Sequence, residues 1–392
     1  MKHPEGPTVL PQPANDHNVY IVGAGFSAER GIPVVAGFLD RMRDAYDSVK
    51  EPSAKDAIAR VMDFRRSASS ASNRMRVDAE NIEHLFSLAS LAGYPALLSA
   101  IPHAIAATIE FASRGHAKPT LRSSVAGDEL KLWPKSWPRC DEDARRSGGV
   151  VVDLYETLLA TMLGDFGRQS GACRNTFISF NYDLVVEEAA WALGKRVSYG
   201  FARDRWSNAS GSDVHFGECR DAEVTLLKLH GSINWTRGEG TEDPIAVHAA
   251  SPLGHLEGDR LVLIPPTWNK SLIAPIDQVW DAAVNAIAEA TRIIVLGYSV
   301  PATDTHFRYL MAAGLLDNIS LRSVAFVGKS DTDPRYKDAN ESFRARVDDL
   351  IQPGEWMRRR LTVEMDGATK FLLTKLPYDW GRSRVPGYAH AS

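Results

Sequence analysis

Asn18-Val19-Tyr20-Ile21-Val22 is a short apolar run of strand-forming residues. It leads without a spacer into Gly23-Ala24-Gly25-Phe26-Ser27 and then Ala28-Glu29-Arg30-Gly31-Ile32-Pro33. A strand, a glycine turn and a helix start are the first half of a βαβ unit. No other feature constrains the chain as much. A strand of this kind pairs in parallel, and a parallel sheet has to be covered by helices.

The second half supplies the neighbours. Asn175–Phe180, Val224–Leu229, Leu261–Ile264, Arg292–Leu296 and Ser323–Val327 read as strands. Leu184–Leu193, Ile276–Ala290 and Thr305–Leu316 read as helices. This alternation predicts an α/β fold, a Rossmann-like parallel sheet with helices on both faces.

From about residue 40 to 166 the pattern is mostly helical and reads as an insertion. Ile82, Leu85, Phe86, Leu88 and Ala89 share one face of Asn81–Leu91. Val150–Phe166 repeats the pattern with Val151, Leu154, Leu158, Leu159 and Met162. Arg65–Arg76 and Arg114–Gly149 read as loops between helical stretches. Tyr94–Ala112 is the most apolar long segment, but Pro95, Pro102, His103 and Glu110 interrupt it. A buried helix pair fits it better than a membrane span. Residues 1–17 hold four prolines and no apolar core of a secretory signal, and read as a flexible lead-in. Residues 18–392 then form one domain.

Composition excludes several function classes. Hydrophobic residues make up 44% of the 392, and charged residues 24%, so overall disorder is not expected. Lys plus Arg is 45 against 49 Asp plus Glu, a net charge of −4, which argues against nucleic-acid binding by bulk charge. Arg65, Arg66, Arg74 and Arg76, with Trp133 and Trp137, offer a local alternative, though such runs are more often solvated loops. The three cysteines, Cys140, Cys173 and Cys219, contain no Cys-x-x-Cys pair. A four-Cys zinc ribbon is therefore excluded, no metal site is expected, and reduced thiols in the cytoplasm fit best.

In parallel sheets ligands bind at the carboxyl ends of strands, so the residues after each strand carry the functional signal. Gly23-x-Gly25-x-Ser27 reads either as an ordinary glycine turn or as one that lets the backbone approach a pyrophosphate beside a helix start, and its place between a strand and a helix favours the second. It departs from the usual dinucleotide pattern, because Ala28 stands at the third glycine position and Ser27 adds a hydroxyl. Asn181-Tyr182-Asp183 follows Phe180. Asp183 reads either as a cap for the helix from Leu184 or as a ligand-binding carboxylate. Capping leaves Asn181 without a role, which points to catalysis or binding there. Among eleven histidines, His230 is the one that directly follows an apolar strand and precedes a glycine, Gly231. An imidazole there can serve as a general base near neutral pH. Gly297-Tyr298-Ser299-Val300-Pro301, with Asp304 beyond, reads either as a site for the far end of a long ligand or as an ordinary capped turn.

These four segments, in this order over about residues 18–330, resemble the sirtuin-like superfamily. Gly23–Pro33 looks like its phosphate and nicotinamide loop, Ser179–Asp183 like its Asn/Asp motif, and Lys228–Trp235 like its His-Gly motif. Gly297–Pro301 followed by Asp304 is similar to the late motif of the bacterial branch, and Asn81–Phe86 to that branch's helical insertion. Two departures from protein-deacylating sirtuins stand out. Three cysteines cannot build their zinc module, and Val34-Val35 follows Pro33 where their Phe-Arg would come.

The resemblance implies an NAD+ glycohydrolase that releases nicotinamide and ADP-ribose, of the bacterial branch associated with antiphage defence. It implies NAD+ as substrate, with Gly23, Ala24, Gly25, Phe26 and Ser27 around the pyrophosphate. Asn181 would orient the nicotinamide ribose and the attacking water. Asp183 would hold the ribose or the Asn181 loop, and His230 would bind a ribose hydroxyl and act as base. Gly231 and Gly297 would line the cofactor site, with Ser299 and Asp304 at the adenosine end. A homo-oligomer, or a separate partner such as a HerA-like ATPase, is implied as well. The alternatives are an NAD-dependent deacylase or ADP-ribosyltransferase, and a non-catalytic NAD or ADP-ribose binding subunit.

Overall fold

The computed structural model describes residues 16–72, 74–75, 77–115, 118–124, 149–164, 174–201, 205–207, 215–216, 222–237, 245–248, 250–253, 260–267, 276–301, 304–351 and 354–376. In its first half the chain forms β1 (His17–Val22), α1 (Phe38–Ser48), α2 (Pro52–Ser72), α3 (Ile82–Ala92), α4 (Pro95–Gly115), β2 (Thr120–Ser124), β3 (Gly149–Asp153) and α5 (Leu154–Leu163). Next come β4 (Arg174–Ser179), α6 (Val185–Ala192), β5 (Val197–Ser198), β6 (Arg205–Ser207), β7 (His215–Phe216), β8 (Val224–Lys228), β9 (Gly231–Arg237), β10 (Ile245–Val247) and β11 (Leu261–Leu263). The last part holds α7 (Ile276–Ala288), β12 (Arg292–Leu296), α8 (Thr305–Leu315), β13 (Ser323–Val327), α9 (Lys337–Leu350), α10 (Glu355–Arg358) and β14 (Leu361–Glu364).

The main sheet has the order β14-β13-β12-β1-β4-β8-β5-β6-β7. The seven strands from β14 to β5 pair in parallel, and β6 and β7 add an antiparallel edge. β1 and β12 are buried along their whole lengths, as strands covered on both faces must be. The expected Rossmann-like α/β fold is the observed one. β1 lies at its centre, with later strands added on both sides, so the strand order reverses there.

Several expected boundaries move. His17, placed in the lead-in by the sequence, is the first residue of β1. Asp16 before it is buried and paired with Arg292 and Arg322 at 3.6 and 2.7 Å. Those ion pairs pin the start of β1 and outweigh its weak apolar pattern. Arg65 and Arg66, expected in a loop, lie inside α2, where their spacing from Asp63 and Glu80 permits ion pairs. Tyr94–Ala112 forms one helix, α4, because Pro102 is accommodated within it. That helix is long and apolar enough to cross a membrane by length and composition alone. Here Leu97, Ile101, Ile105 and Ile109 are buried, and α4 packs against α1 and α2.

The stretch expected to be mostly helical also holds strands. β2 and β3 pair antiparallel, so Val150–Asp153 is strand, and Asp153 caps α5 by accepting from Tyr155 and Glu156 N–H groups. Leu261–Leu263, expected among the parallel strands, joins a separate three-stranded antiparallel sheet, β10-β9-β11. The main sheet also continues past Val327, where the pattern ended it, through β14. Cys140, Cys173, Cys219, Trp133, Trp137 and Arg76 lie outside the described residues.

Candidate active site

Strand register brings the expected segments to one edge. Val22 pairs with Leu296 on one side and with Ser179 on the other, and Ser179 pairs with Lys228. Gly23, Phe180, Leu229 and Gly297 therefore leave the sheet at one level. The crevice beside such a reversal of strand order is where open α/β sheets take ligands.

The turn after β1 packs back to back with the turn after β12. Gly23 N donates to the Leu296 carbonyl at 3.0 Å, and Gly25 N to the Gly297 carbonyl at 2.8 Å. Phe26 N donates to Gly23 O at 2.9 Å and Ser27 N to Ala24 O at 3.2 Å. Four N–H groups of the expected phosphate turn are thus engaged inside the chain. Gly297 has φ +62°, and a Cβ there would lie 2.0 Å from Phe26 N. The late glycine is fixed by contact with the early turn. The helix start expected at Ala28 is a single 3₁₀ turn, Ala28–Arg30, and the first α-helix begins at Phe38. Ala24 is half-buried and Gly25 exposed, while Phe26 turns inward, edge-on to Tyr155 at 5.5 Å. Tyr155 donates its hydroxyl to the Phe26 carbonyl at 2.7 Å.

Asn181 links two motifs. Its Nδ2 donates to the Gly23 carbonyl at 3.0 Å and to Ser27 Oγ at 3.1 Å. Both amide hydrogens are engaged within the chain, which leaves Oδ1 as the group able to face a ligand. Ser27 in turn is hydrogen-bonded to the Asp183 carboxylate. Asp183 Oδ1 also accepts from Val185 N at 3.0 Å, so the residue starts α6 from one position before its N-cap, Leu184. Burial pushes the Asp183 carboxyl above the ordinary carboxylate range, against the pull of Lys228 and of these hydrogen bonds.

His230 sits between β8 and β9, 6% exposed, with Phe180 edge-on at 5.4 Å and Tyr182 at 6.1 Å. Gly231 has φ +80°, and a Cβ there would meet the Val262 carbonyl at 2.0 Å. The glycine after His230 is therefore required by the contact with β11. Ser299 is exposed, and its carbonyl accepts from Arg346 Nε at 2.8 Å. Val300 beside it has φ +50°, a strained conformation for a β-branched residue before proline. Asp304 is the N-cap of α8. It accepts from Phe307 N at 3.2 Å, and from the Tyr298 hydroxyl at 2.5 Å. Both carboxylate oxygens thus serve the chain itself. Tyr298 stacks on Phe180 at 5.1 Å, and burial together with the Asp304 carboxylate pushes its phenol upward.

The structure adds residues that motif reading missed. Lys228 and Glu187 form a buried ion pair at 2.8 Å directly beneath the Asn181–Asp183 loop. A lysine inside the apolar run Val224–Leu229 was the available signal, since lysine is almost never fully buried unless paired. Burial raises the Tyr182 phenol, and the Glu83 charge adds to that rise as it does for Tyr298. The first turn of α3 therefore contributes to the electrostatics of the site. Among the described residues no group of three or more His, Cys, Asp or Glu is placed to hold a metal ion.

Residues 175–347 match the family model of the SIR2-like domain. The match contains Asn181, Asp183, His230, Gly231, Gly297, Ser299 and Asp304, and begins after the Gly23–Ser27 turn. No curated protein matches the chain in sequence. Among solved structures, a Sir2 homologue in complex with NAD aligns at 15% identity and TM-score 0.35, covering 86% of this chain and 91% of that one. Sir2Tm bound to a propionylated peptide aligns at 13% identity and TM-score 0.36, covering 93% and 94%. A Sir2 homologue S24A mutant in complex with ADP-ribose aligns at 14% identity and TM-score 0.34, covering 85% and 93%. These superpositions are too loose to transfer any residue's role. The family match and the motif order agree: residues 175–347 are similar to the SIR2-like domain.

Proposed function

We propose that the protein is an NAD+ glycohydrolase, cleaving the bond between ribose C1′ and nicotinamide with water as acceptor. The observation that carries the reading is the Asn181–Ser27–Asp183 chain of hydrogen bonds beside His230, at the edge where β1, β4 and β8 end. Nicotinamide leaves NAD+ as a neutral molecule, so cleavage needs positive charge on the ribose stabilised and a water placed. Glycosidase logic applies in outline.

In this reading the Gly23–Ser27 turn lies along the pyrophosphate, with Ala24 and Gly25 as its exposed part. Asn181 Oδ1 orients the ribose or the attacking water. Asp183 holds the Asn181 loop through Ser27, and its buried carboxylate favours positive charge developing nearby. His230 takes a proton from the ribose or the water. Ser299, which is exposed, would contact the adenosine end. Asp304 acts there through Tyr298.

The missing four-Cys module supports hydrolysis over protein deacylation. The motif resemblance to the bacterial branch supports NAD+ depletion in antiphage defence, by a self-assembled chain or with a separate partner such as a HerA-like ATPase. The experiment is incubation with NAD+ and quantification of nicotinamide and ADP-ribose. Equimolar release of both supports hydrolysis. Saturable binding without release contradicts it.

A further inference from the structure

Lys228 is a buried charge that the proposed chemistry does not use. It lies at the end of β8, 1% exposed, and so does its partner Glu187. Its Nζ donates to Glu187 Oε1 at 2.8 Å and to Ser232 Oγ at 2.6 Å. It also points at the main-chain carbonyl oxygens of Asp183, at 2.5 Å, and Tyr182, at 3.5 Å. Ser232 Oγ reaches the same Tyr182 carbonyl at 3.4 Å. These acceptors belong to three elements: the loop after β4, helix α6 and strand β9.

A buried ion pair is weak ground for stability, because apolar residues of similar volume do as well or better. The placement of this one is the informative part. One ammonium joins the backbone of the Asn181–Asp183 loop to the residue two after His230. We propose that Lys228 is a positioning residue, clamping the Tyr182–Asp183 backbone to Ser232 so that Asn181 and Asp183 are held in register with His230. The proposal rests on the glycohydrolase reading for its catalytic consequence, and on geometry alone for the clamp.

The clamp also has an electrostatic side. Asp183 is faced by Lys228 from β8, Glu187 from α6, and the Tyr155 hydroxyl from α5. Lys228 is the cation among these and favours the ionised carboxylate. Its removal therefore moves the acid limb of a pH–rate profile toward higher pH.

The test compares wild type, Lys228→Met, and the double variant Lys228→Met/Glu187→Leu. Melting temperature, hydrogen exchange in peptides 179–185 and 229–234, and steady-state NAD+ hydrolysis are read on each. The single variant strands Glu187 as an unpaired buried charge and melts early. The double variant removes the stranded Glu187 charge, Asp183 keeps its Val185 and Ser27 hydrogen bonds, and the protein melts closer to wild type than the single variant does. Its two peptides are expected to exchange about tenfold faster, with the rest of the sheet unchanged. Its kcat is expected to fall about 100-fold with KM for NAD+ held within about threefold. If exchange and kcat recover together with the melting temperature, Lys228 is only a charge partner and the proposal is overturned. If wild type hydrolyses no NAD+, the functional reading fails, and exchange in the two peptides still decides the clamp. Should the double variant not fold, Ser232→Ala removes one arm of the clamp. Unchanged exchange in both peptides of that variant overturns the proposal.

Discussion

Asn181 Nδ2 donates to the Gly23 carbonyl at 3.0 Å, a contact between residues 158 positions apart in sequence. Through it the loop after β4 holds the turn after β1. The second amide hydrogen reaches Ser27 Oγ, and Ser27 reaches Asp183. The glycine turn and the Asn/Asp motif are one mechanical unit. A change at Asn181 therefore alters the Gly23–Ser27 turn and the surroundings of Asp183 together.

The back-to-back turns set a stability prediction. Gly297→Ala places a Cβ 2.0 Å from Phe26 N, whereas Gly93→Ala, at φ +67°, meets nothing within 4 Å. Gly93→Ala is expected to cost about 1 kcal/mol from conformation alone, and Gly297→Ala about 3 kcal/mol. Urea unfolding of both variants checks this. Equal costs would mean that the two turns do not touch.

Asp304 offers a choice between two roles. Its carboxylate caps α8 and accepts from Tyr298. Asp304→Ala is thus expected to lower stability by about 1–2 kcal/mol in the absence of any nucleotide. Thermal melting without ligand reads this. A wild-type melting curve combined with a raised KM for NAD+ would instead assign Asp304 to the adenosine end.

Acid stability has an identifiable source at the other end of β1. Burial, aided by the Arg174 guanidinium, lowers the His17 imidazole from 6.5 to about 4. Between those values the unfolded chain takes up a proton that the folded one refuses, so stability is lost as pH falls from 6.5 to 4. His17→Gln should flatten that part of the curve by about 2 kcal/mol, allowing for solvent screening. Asp183 and Glu187 act in the opposite sense. Their raised carboxyl values favour the fold at low pH, and that gain is lost as pH rises through them. The His17 contribution is therefore the difference between wild type and variant in chemical denaturation from pH 4 to 7.5.

The parallel strands were legible because β1, β4, β8, β12 and β13 are apolar runs each followed by a turn residue. The edge was less so. β14 (Leu-Thr-Val-Glu) is short and only half-buried, so it carries no distinct pattern. Pro102 predicts a break into two helices, and tertiary packing overrides that preference in α4. The motif residues do reach one sheet edge, as parallel topology requires. Contacts that join motifs could not be read from spacing. Nothing in Gly-x-Gly indicates that Gly25 N donates to Gly297 O. Lys228 opens the His-Gly segment and is an anomaly in an apolar strand, but neither feature gives it a role. Its acceptors come from Asp183, Glu187 and Ser232, and only the fold brings these together.

The most direct test is NAD+ hydrolysis by wild type, Asn181→Ala and His230→Ala, with melting curves to confirm that each is folded. Wild type should release nicotinamide and free ADP-ribose in equal amounts. Each variant should lose turnover by about 100-fold or more. Full turnover in either folded variant, or acyl-ADP-ribose in place of free ADP-ribose, would contradict the account.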